Sequence, residues 1–429
     1  MTAPRPPRAG HPPRAGAAAG RHRGLIVLLG ALAFLPAAAT DMYLPSLPQV
    51  ATDLATTSAA VQLTITSVMI GAALSQLVLG PLSDRVGRRR PAMAGLAAFA
   101  VVAVLCVFAG TISQLVALRV LQGVVGAAAS VTAMAVIGDR YRGAEAARLL
   151  SRLWIAIAVA PILAPLAGTV IADAWGWRAV FGVLAVMGAA LLLWLARSLP
   201  ETLPAERRAT GSLGSSLRGY GDLLRDRDFL ALALLPGLQL AVLMSYVTGS
   251  PFVLQEEYGL SPQEFALVFG LGATSMIVGS QVNASLVRRV GPVRLLRAGL
   301  PVVAACTAAL VVVSATHAGG VVGLLVPLWL AVAVLSTVIA NASAVAISRH
   351  SSRAGTASAV IGSIQGALGG AVAPLVGVLG GTGVAMTSVM LGAALVSVAV
   401  LALGTRAYRA GGAAALTPDE APAQPARRA

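Results

Sequence analysis

The sequence predicts an all-α membrane protein in which twelve transmembrane helices form two pseudo-symmetric six-helix bundles around a central cavity. Of its 429 residues, 57% are hydrophobic and only 11% are charged, whereas a soluble domain carries about 25% charged residues. Apolar runs of about 20 residues recur along the chain, each long enough to cross a ~30 Å hydrocarbon layer as a helix. Short motifs of the first half also recur in the second half.

The apolar runs define twelve spans and the regions that join them. The spans lie near residues 24–47, 60–80, 91–109, 113–137, 149–172, 178–196, 229–254, 263–286, 295–314, 319–347, 355–379 and 384–404. The predicted regions are a disordered cytoplasmic tail (1–23), a first bundle (24–196), a polar cytoplasmic linker (197–228), a second bundle (229–404) and a second disordered tail (405–429).

The distribution of arginine orients the chain. With the N-terminus in the cytoplasm, every arginine except Arg119 and Arg178 falls in a cytoplasmic tail, loop or linker, as the positive-inside rule requires. We therefore expect a multi-pass protein of the bacterial cytoplasmic (inner) membrane with both termini in the cytoplasm. The formal net charge of +15 then follows from topology and attraction to anionic lipid, and it implies no nucleic-acid partner.

The residue types that are absent or scarce exclude several chemistries. All 31 basic residues are arginine, so neither a Walker A phosphate loop nor a lysine Schiff base is possible. The two cysteines lie in apolar runs and the four histidines in tails and loops, which argues against a metal site. We therefore expect no enzyme, no metal and no cofactor, and a proton gradient as the energy source.

The loop between the second and third spans carries the most specific motif, "GPLSDRVGRRRP" (80–91). Its ordered positions are Gly80, Asp84, Arg85, Gly87, Arg88 and Arg89. A glycine permits a tight turn, and we expect Asp84 to face a helix N-terminus, where partial positive charge favours a carboxylate. An ordinary basic loop would explain the arginines but not the ordered pattern. This loop resembles the signature of the major facilitator superfamily, and "LVRRVGPVR" (286–294) repeats it weakly with Arg288 in place of Asp84.

Two further motifs resemble the same superfamily. The fourth span contains an R-x-x-Q-G pattern formed by Arg119, Gln122 and Gly123. Arg119 either faces a cavity or partner, as intramembrane charges do, or snorkels to the outer surface.

The fifth span contains "APILAPLAGTVI" (160–171), similar to the antiporter motif of the superfamily through Pro161, Pro165 and Gly168. Ordinary packing of small residues is the alternative interpretation. "APLAG" (164–168) recurs as "APLVG" (373–377) in the eleventh span.

Three more stretches narrow the resemblance to the Bcr/CflA branch of drug:proton antiporters, which is linked to bicyclomycin and chloramphenicol resistance. They are "TDMYLPSLPQ" (40–49), "SYVTGSPFVLQEEYGLSP" (245–262) and "RAGTASAVIGSIQGALGGAVAPLVG" (353–377). The resemblance implies a proton-coupled multidrug efflux transporter that works by alternating access and exports phenicol- or bicyclomycin-like compounds. The chain would act as a monomer, with a drug, protons and membrane lipids as its partners.

Asp41 and Arg119 are the clear intramembrane charges. The resemblance places the first and fourth spans side by side, so we expect Asp41 to pair with Arg119 and to switch its protonation during transport. The alternative is an ion pair that only fixes the helix register.

The substrate cavity is expected to be mostly apolar with a few polar groups. The candidates are Tyr43, Gln62, Gln239, Tyr246, Ser250, Asn341 and Gln365, each equally compatible with a packing or interhelical role. The aromatic content of 4% favours uncharged or amphipathic substrates over a cation cage.

Other classes of function fit the same residues less well. A proton-coupled transporter of an endogenous metabolite is the main alternative, although it would usually place more polar residues in the inner spans. A membrane-embedded enzyme would need an acid–base, nucleophile or metal cluster. A channel or a scaffold would not need the repeated halves and the signature loop.

Overall fold

A computed structural model describes residues 15–141, 143–204, 206, 208 and 221–404. Within this part of the chain, twelve helical segments are long and apolar enough to cross a membrane. The helices are α1 (Ala15–Asp41), α2 (Ser58–Val86), α3 (Arg89–Val107), α4 (Ile112–Arg140), α5 (Gly143–Trp175), α6 (Trp177–Ser198), α7 (Arg227–Phe252), α8 (Pro262–Val290), α9 (Pro292–Thr316), α10 (Gly320–Arg349), α11 (Ala354–Val372) and α12 (Gly383–Gly404). The predicted fold class and number of spans are confirmed.

The same pattern of helix packing occurs twice. In the first six helices α1 packs on α4, α5 and α6, α2 packs on α4, and α3 packs on α4 and α6. Shifting every number by six gives the main contacts of α7 to α12. The two bundles meet through α2 against α11 and α5 against α8, which is also a symmetric pairing. Such repeats place transporter sites at the interface between the repeats.

Prolines interrupt three of the spans near their C-terminal ends. After α1 the first span continues as a 3-10 turn (Leu44–Ser46) and a short helix (Leu47–Asp53), because Pro45 has no N–H to donate to the Asp41 carbonyl. A π-helix (Val253–Glu257) follows Pro251 at the end of α7. In the eleventh span, α11 stops before Pro374 and a single helical turn (Leu375–Val378) follows.

The regions outside the bundles agree only partly with the sequence prediction. Residues 15–23 belong to α1, so this part of the predicted disordered tail is helical. Residues 1–14 and 405–429 lie outside the described residues. In the predicted linker, the Asp226 side chain caps the start of α7 by accepting from the N–H groups of Asp228 and Phe229. A carboxylate at this position offsets the positive end of the helix.

Glycines let α2 and α4 approach closely. A Cβ atom on Gly71 would collide with the Val120 carbonyl, and one on Gly123 would collide with the Val68 carbonyl. Ser75 on α2 also donates to the Val124 carbonyl at 2.6 Å. Small residues that bring two backbones together stabilise helix pairs in lipid, where the hydrophobic effect does not. Gly123 of the R-x-x-Q-G motif is therefore a packing residue.

We expect Gly123→Ala to destabilise the first bundle, because the added methyl group overlaps the backbone of α2. Overpacking of this kind costs about 1–3 kcal/mol, so the midpoint of thermal unfolding in detergent should fall. Gly138→Ala is the matched control on α4, since no atom lies within 4 Å of its Cβ position. Equal midpoints for the two variants would show that the close approach of α2 and α4 carries no stability.

Candidate transport site

Arg119 binds a backbone carbonyl group near the C-terminal end of α1, where the proline interruption ends the regular hydrogen bonding of the helix. Its Nη1 atom donates to the Ala39 carbonyl at 2.9 Å and to Gln122 Oε1 at 2.7 Å, and its Nε atom donates to the Thr64 carbonyl at 3.3 Å. A cation at a helix C-terminus neutralises the partial negative charge there. The side chain is 0% exposed, so the snorkelling interpretation is wrong, and Gln122 of the same motif orients the guanidinium.

Aromatic rings also contact Arg119, whose Nη2 atom has no hydrogen-bond partner among the described residues. The guanidinium carbon lies 5.1 Å from the ring centre of Tyr43 and 5.6 Å from that of Phe181. These two rings also contact each other and Trp177. Stacking of a guanidinium on aromatic faces stabilises the cation where water is absent. Tyr43, predicted to line the substrate cavity, is instead fully buried inside the first bundle.

Asp41 is the last residue of α1 and does not pair with Arg119. Among the described residues, no hydrogen bond or ion pair joins its carboxyl group to another side chain, and it is 9% exposed. The predicted ion pair is therefore absent from this arrangement, because Arg119 is directed to the backbone carbonyl of Ala39. Asp41 remains an almost buried acid at the negative end of a helix, where a charged carboxylate is disfavoured.

Gly168 brings the antiporter-like motif to the same place. Helix α5 continues through Pro161 and Pro165, and a Cβ atom on Gly168 would collide with the carbonyl group of Met42. Met42 directly follows Asp41, so the fifth span supports the interruption of the first span. Any larger residue at position 168 would displace the segment that carries Asp41.

Two glutamines bind backbone atoms of the opposite bundle at the end of the molecule that the sequence predicts to face outward. Gln255 of the π-helix donates from Nε2 to the Pro45 carbonyl at 3.1 Å. Gln62 of α2 accepts through Oε1 from the Gly377 N–H at 3.0 Å. Each backbone partner belongs to a proline-interrupted segment. We call these two contacts the outer clasp. Gln263 adds a hydrogen bond to Asp173 between α8 and the end of α5.

The remaining cavity candidates fall into two groups. Gln239 donates to Ser397 Oγ at 3.0 Å, and Asn341 donates to Asn283 Oδ1 at 2.7 Å. These two are buried residues that join helices of the second bundle, which is the interhelical role that the sequence left open for them. Gln62 belongs to the outer clasp, and Gln365 is half-buried on α11.

The side chains of Tyr246 and Ser250 are buried without hydrogen-bond partners. Within the described part of the chain, nothing bonds to Tyr246 Oη, Ser250 Oγ or Trp329 Nε1 on α10. Trp329 Nε1 lies 2.7 Å and Tyr246 Oη 3.1 Å from the Cβ position that Gly272 leaves empty. Sequence reasoning missed Trp329, whose only signal was a tryptophan within an apolar span.

The signature loop forms a network in which Arg88 is central. Its guanidinium pairs with Asp84 at 2.6 Å and with Asp139, at the end of α4, at 2.9 Å. The expectation that Asp84 faces a helix N-terminus is therefore wrong. That position belongs to Glu201, which accepts from the N–H groups of Arg88 at 2.8 Å and Arg89 at 3.3 Å.

Glu201 fits this position because of the turn at Gly87. Gly87 has φ 95°, and a Cβ atom there would overlap the Glu201 carboxylate. Glu201 also accepts from the N–H groups of Thr202 and Leu203. Sequence reasoning missed both Asp139 and Glu201, which lie far along the chain from the loop. Among the described residues, no cluster of three or more His, Cys, Asp or Glu residues suits a metal ion.

The Glu201 contacts predict a dependence of stability on pH. Partial burial works to raise the pKa of this carboxylate, but its backbone N–H bonds outweigh that effect and hold the pKa below its ordinary value of 4.5. Its stabilisation is therefore complete above about pH 4.5 and is lost as the pH falls through the folded-state pKa. Glu201→Ala should lower the unfolding midpoint at pH 7, and the difference from the wild type should shrink as the pH falls below about 4.5, the ordinary pKa of a glutamate. Glu206→Ala, on the same linker, is the control, and a pH-independent loss would contradict the interpretation.

The outer clasp predicts a shift of conformation. Two hydrogen bonds contribute about 1 kcal/mol each, so Gln62→Ala combined with Gln255→Ala should favour outer opening by roughly thirtyfold. Pulsed electron–electron distance measurements between spin labels on Thr52→Cys and Ala318→Cys, with both native cysteines changed to alanine, would report the opening. Gln114→Ala is the control, since Gln114 bonds only within its own bundle, to the Gly110 N–H. Unchanged distances in the double variant would rule out the clasp.

Comparisons with known proteins agree with this geometry. The family model described as Major Facilitator Superfamily matches residues 29–374. "Uncharacterized MFS-type transporter YdgK" of Bacillus subtilis is 36% identical over 374 residues, covering 87% of this chain and 93% of the relative. "Bicyclomycin resistance protein homolog" of Haemophilus influenzae is 30% identical over 351 residues, which cover 80% of this chain and 86% of the relative. "Multidrug resistance protein MdtL" of Escherichia coli O157:H7 is 32% identical over 243 residues, which cover 57% of this chain and 61% of the relative.

Solved structures share the fold at lower identity. A D-xylose–proton symporter superposes with a TM-score of 0.71 at 16% identity, covering 88% of this chain and 97% of the other. A bacterial homologue of the human lysosomal transporter Spinster, in an inward-facing and unoccupied conformation, superposes with a TM-score of 0.67 at 15% identity. The superposition covers 90% of this chain and 95% of the other. These likenesses concern the fold alone. With a matching family model over most of its length, the chain belongs to the Major Facilitator Superfamily and is a multi-pass membrane transporter rather than an enzyme.

Proposed function

We propose that the chain is a drug:proton antiporter that exports small uncharged or amphipathic antibiotics by alternating access. The proposal rests on the position of Asp41 at the interruption of the first span. Its carboxyl group is almost buried and has no side-chain partner among the described residues. It lies four residues before Pro45, whose carbonyl belongs to the outer clasp. The similarity to bicyclomycin- and multidrug-resistance proteins supports the substrate class. Transport of phenicol- or bicyclomycin-like compounds follows as the specific proposal.

In the proposed coupling step Arg119 exchanges one partner, the Ala39 carbonyl, for another, the Asp41 carboxylate. In the outward-closed arrangement Arg119 binds the Ala39 carbonyl, and an unpaired charge on buried Asp41 would be costly. Asp41 therefore holds a proton in this state. When drug binds and Asp41 releases its proton to the cytoplasm, the carboxylate attracts Arg119 away from the helix end. The segment that carries Pro45 then moves, and the Gln255 contact opens.

The cycle closes on the outer side. Drug leaves, Asp41 takes a proton from outside, and Arg119 returns to the Ala39 carbonyl. Each inward proton supplies about 2.3 kcal/mol per 100 mV of membrane potential, so no resident cofactor is needed. The protein would work as a monomer in the bacterial cytoplasmic membrane with both termini in the cytoplasm.

The substrate contacts are proposed for the second bundle. Buried polar groups normally have partners, and Tyr246 Oη and Trp329 Nε1 both approach the space beside Gly272 without one. A hydrogen-bond acceptor on the drug, such as a carbonyl or hydroxyl oxygen, would satisfy both donors once the bundle opens. Phe269, stacked on Tyr246 with ring centres 5.5 Å apart, supplies an apolar wall.

The test is transport in proteoliposomes with radiolabelled chloramphenicol and bicyclomycin. Asp41→Asn keeps the size of the side chain but cannot cycle a proton, so we expect proton-driven transport to fall at least about tenfold, as for loss of an essential group. Exchange of labelled for unlabelled drug should persist, because it needs no proton. Asp53→Asn is the control, since the amide oxygen can still accept from Trp177 Nε1 as Asp53 does at 2.9 Å.

Two results would overturn the proposal. Proton-driven transport by Asp41→Asn at the wild-type rate would remove Asp41 from the coupling mechanism. Accumulation of the labelled compound in the direction of the proton flow would identify an importer, which is the alternative for this superfamily. A susceptibility panel in a host lacking its own pumps would then define the substrate.

A further inference from the structure

Glu257 joins the two segments of the second bundle that take part in the outer clasp. It is the last residue of the π-helix (Val253–Glu257), and its Oε1 atom accepts from the Gly383 N–H at 2.8 Å. Gly383 is the first residue of α12. The contact satisfies an N–H group that the start of a helix leaves without a partner, and the positive helix end favours the carboxylate. A Cβ atom at position 383 would lie 2.9 Å from Glu257 Oε2, so the glycine lets the carboxylate approach.

This contact connects two positions that each bind the opposite bundle. Gln255, which forms the first contact of the clasp, lies two residues before Glu257 in the same helical turn. Gly377, which forms the second contact through its N–H group, lies six residues before Gly383. The segment of Gly377 also packs against the start of α2, because a Cβ atom on this glycine would overlap Ala59. One hydrogen bond therefore links both contacts of the clasp within the second bundle.

Neither clasp segment belongs to a long regular helix. The π-helix has five residues, and the helical turn that carries Gly377 (Leu375–Val378) has four. Two glycines with positive φ, Gly380 and Gly381, follow that turn. Such short elements gain little stability from their own backbone hydrogen bonds. Their orientation therefore depends on contacts with neighbouring elements, and the Glu257 carboxylate provides one that both segments share.

The first bundle contains a related contact. Asp53 is the last residue of the short helix (Leu47–Asp53) that follows the proline interruption, and its carboxylate accepts from Trp177 Nε1 at 2.9 Å. Trp177 is the first residue of α6, which corresponds to α12 in the repeated packing. In each bundle a carboxylate at the end of the interrupted span therefore binds the first residue of the sixth helix. The recurrence indicates that this arrangement belongs to the repeated architecture.

We propose that Glu257 is a positioning residue that makes the two contacts of the outer clasp open and close as one unit. While Glu257 holds Gly383, the loss of either contact destabilises both segments. Without the Glu257 carboxylate, each segment opens separately. The inference deepens the proposed alternating access and rests on the outer clasp. It does not depend on the proposed substrate or on the protonation of Asp41.

The test is hydrogen–deuterium exchange, measured by mass spectrometry on the purified full chain in detergent without drug or a proton gradient. One peptide covers residues 253–260 and a second covers residues 375–381. Gln255→Ala should speed exchange of the second peptide about fivefold, the factor for one hydrogen bond. In the Glu257→Ala background, Gln255→Ala should leave the second peptide unchanged. Glu257→Gln keeps an oxygen that can accept from the Gly383 N–H, so it should preserve the transmitted effect.

Matched controls separate this role from general stabilisation. Glu256 is an exposed acid in the same turn, and Glu256→Ala should transmit the effect of Gln255→Ala as the wild type does. Peptides from α5 and α8 should keep their protection in every variant. An equal effect of Gln255→Ala on the second peptide with and without Glu257 would overturn the proposal. So would the absence of that effect when Glu257 is present, or a loss of protection throughout the chain in Glu257→Ala.

Discussion

The hydrogen bond from Arg119 to the Ala39 carbonyl is the interaction on which the transport site depends. Pro45 prevents the first span from continuing as a regular helix. Carbonyl groups at the end of α1 therefore lose their backbone donors. In lipid such groups must find partners within the protein. Arg119 provides one from the neighbouring helix, and its own charge is compensated by the helix end, by Gln122 and by the rings of Tyr43 and Phe181. The same bond leaves Asp41 unpaired, and this connects the architecture of the span to the chemistry proposed for it.

Backbone groups in the proline-interrupted segments also find hydrogen-bond partners across the interface between the bundles. The Pro45 carbonyl and the Gly377 N–H both belong to segments where proline ends a regular helix, and Gln255 and Gln62 satisfy them from the opposite bundle. Interrupted helices in membranes occur where other protein groups complete their hydrogen bonds. Here the groups that complete them belong to the opposite bundle, so the local stability of the interrupted segments depends on the contact between the bundles.

The sequence was sufficient to predict the twelve spans, because hydrophobicity over about 20 residues is a local property that requires no knowledge of neighbours. The resemblance to the superfamily also brought the spans of Asp41 and Arg119 side by side, but it did not place Gly168 beside them. The sequence was not sufficient to predict the partners. Arg119 binds a carbonyl group, which every residue possesses and no motif marks. Glu201 reaches the turn at Gly87 from the end of the sixth span, and Trp329 shares its pocket with Tyr246 through the packing of α7, α8 and α10. These contacts arise from tertiary packing, which one sequence does not encode in its local pattern.

The chemistry of the outer clasp suits a contact that must open in every cycle. Breaking a buried ion pair leaves uncompensated charge and costs about 3–5 kcal/mol, whereas an amide–backbone hydrogen bond contributes about 0.5–1.5 kcal/mol. One proton moving through 100 mV supplies about 2.3 kcal/mol, enough to offset two amide contacts but not two ion pairs. The Arg88 network lies at the opposite end of α2 from Gln62 and contains two carboxylates. Because it lies within one bundle, relative movement of the bundles would leave it formed. The two neutral contacts of the outer clasp therefore suit gating between the bundles, and the ion pairs of the Arg88 network suit rigidity within one bundle.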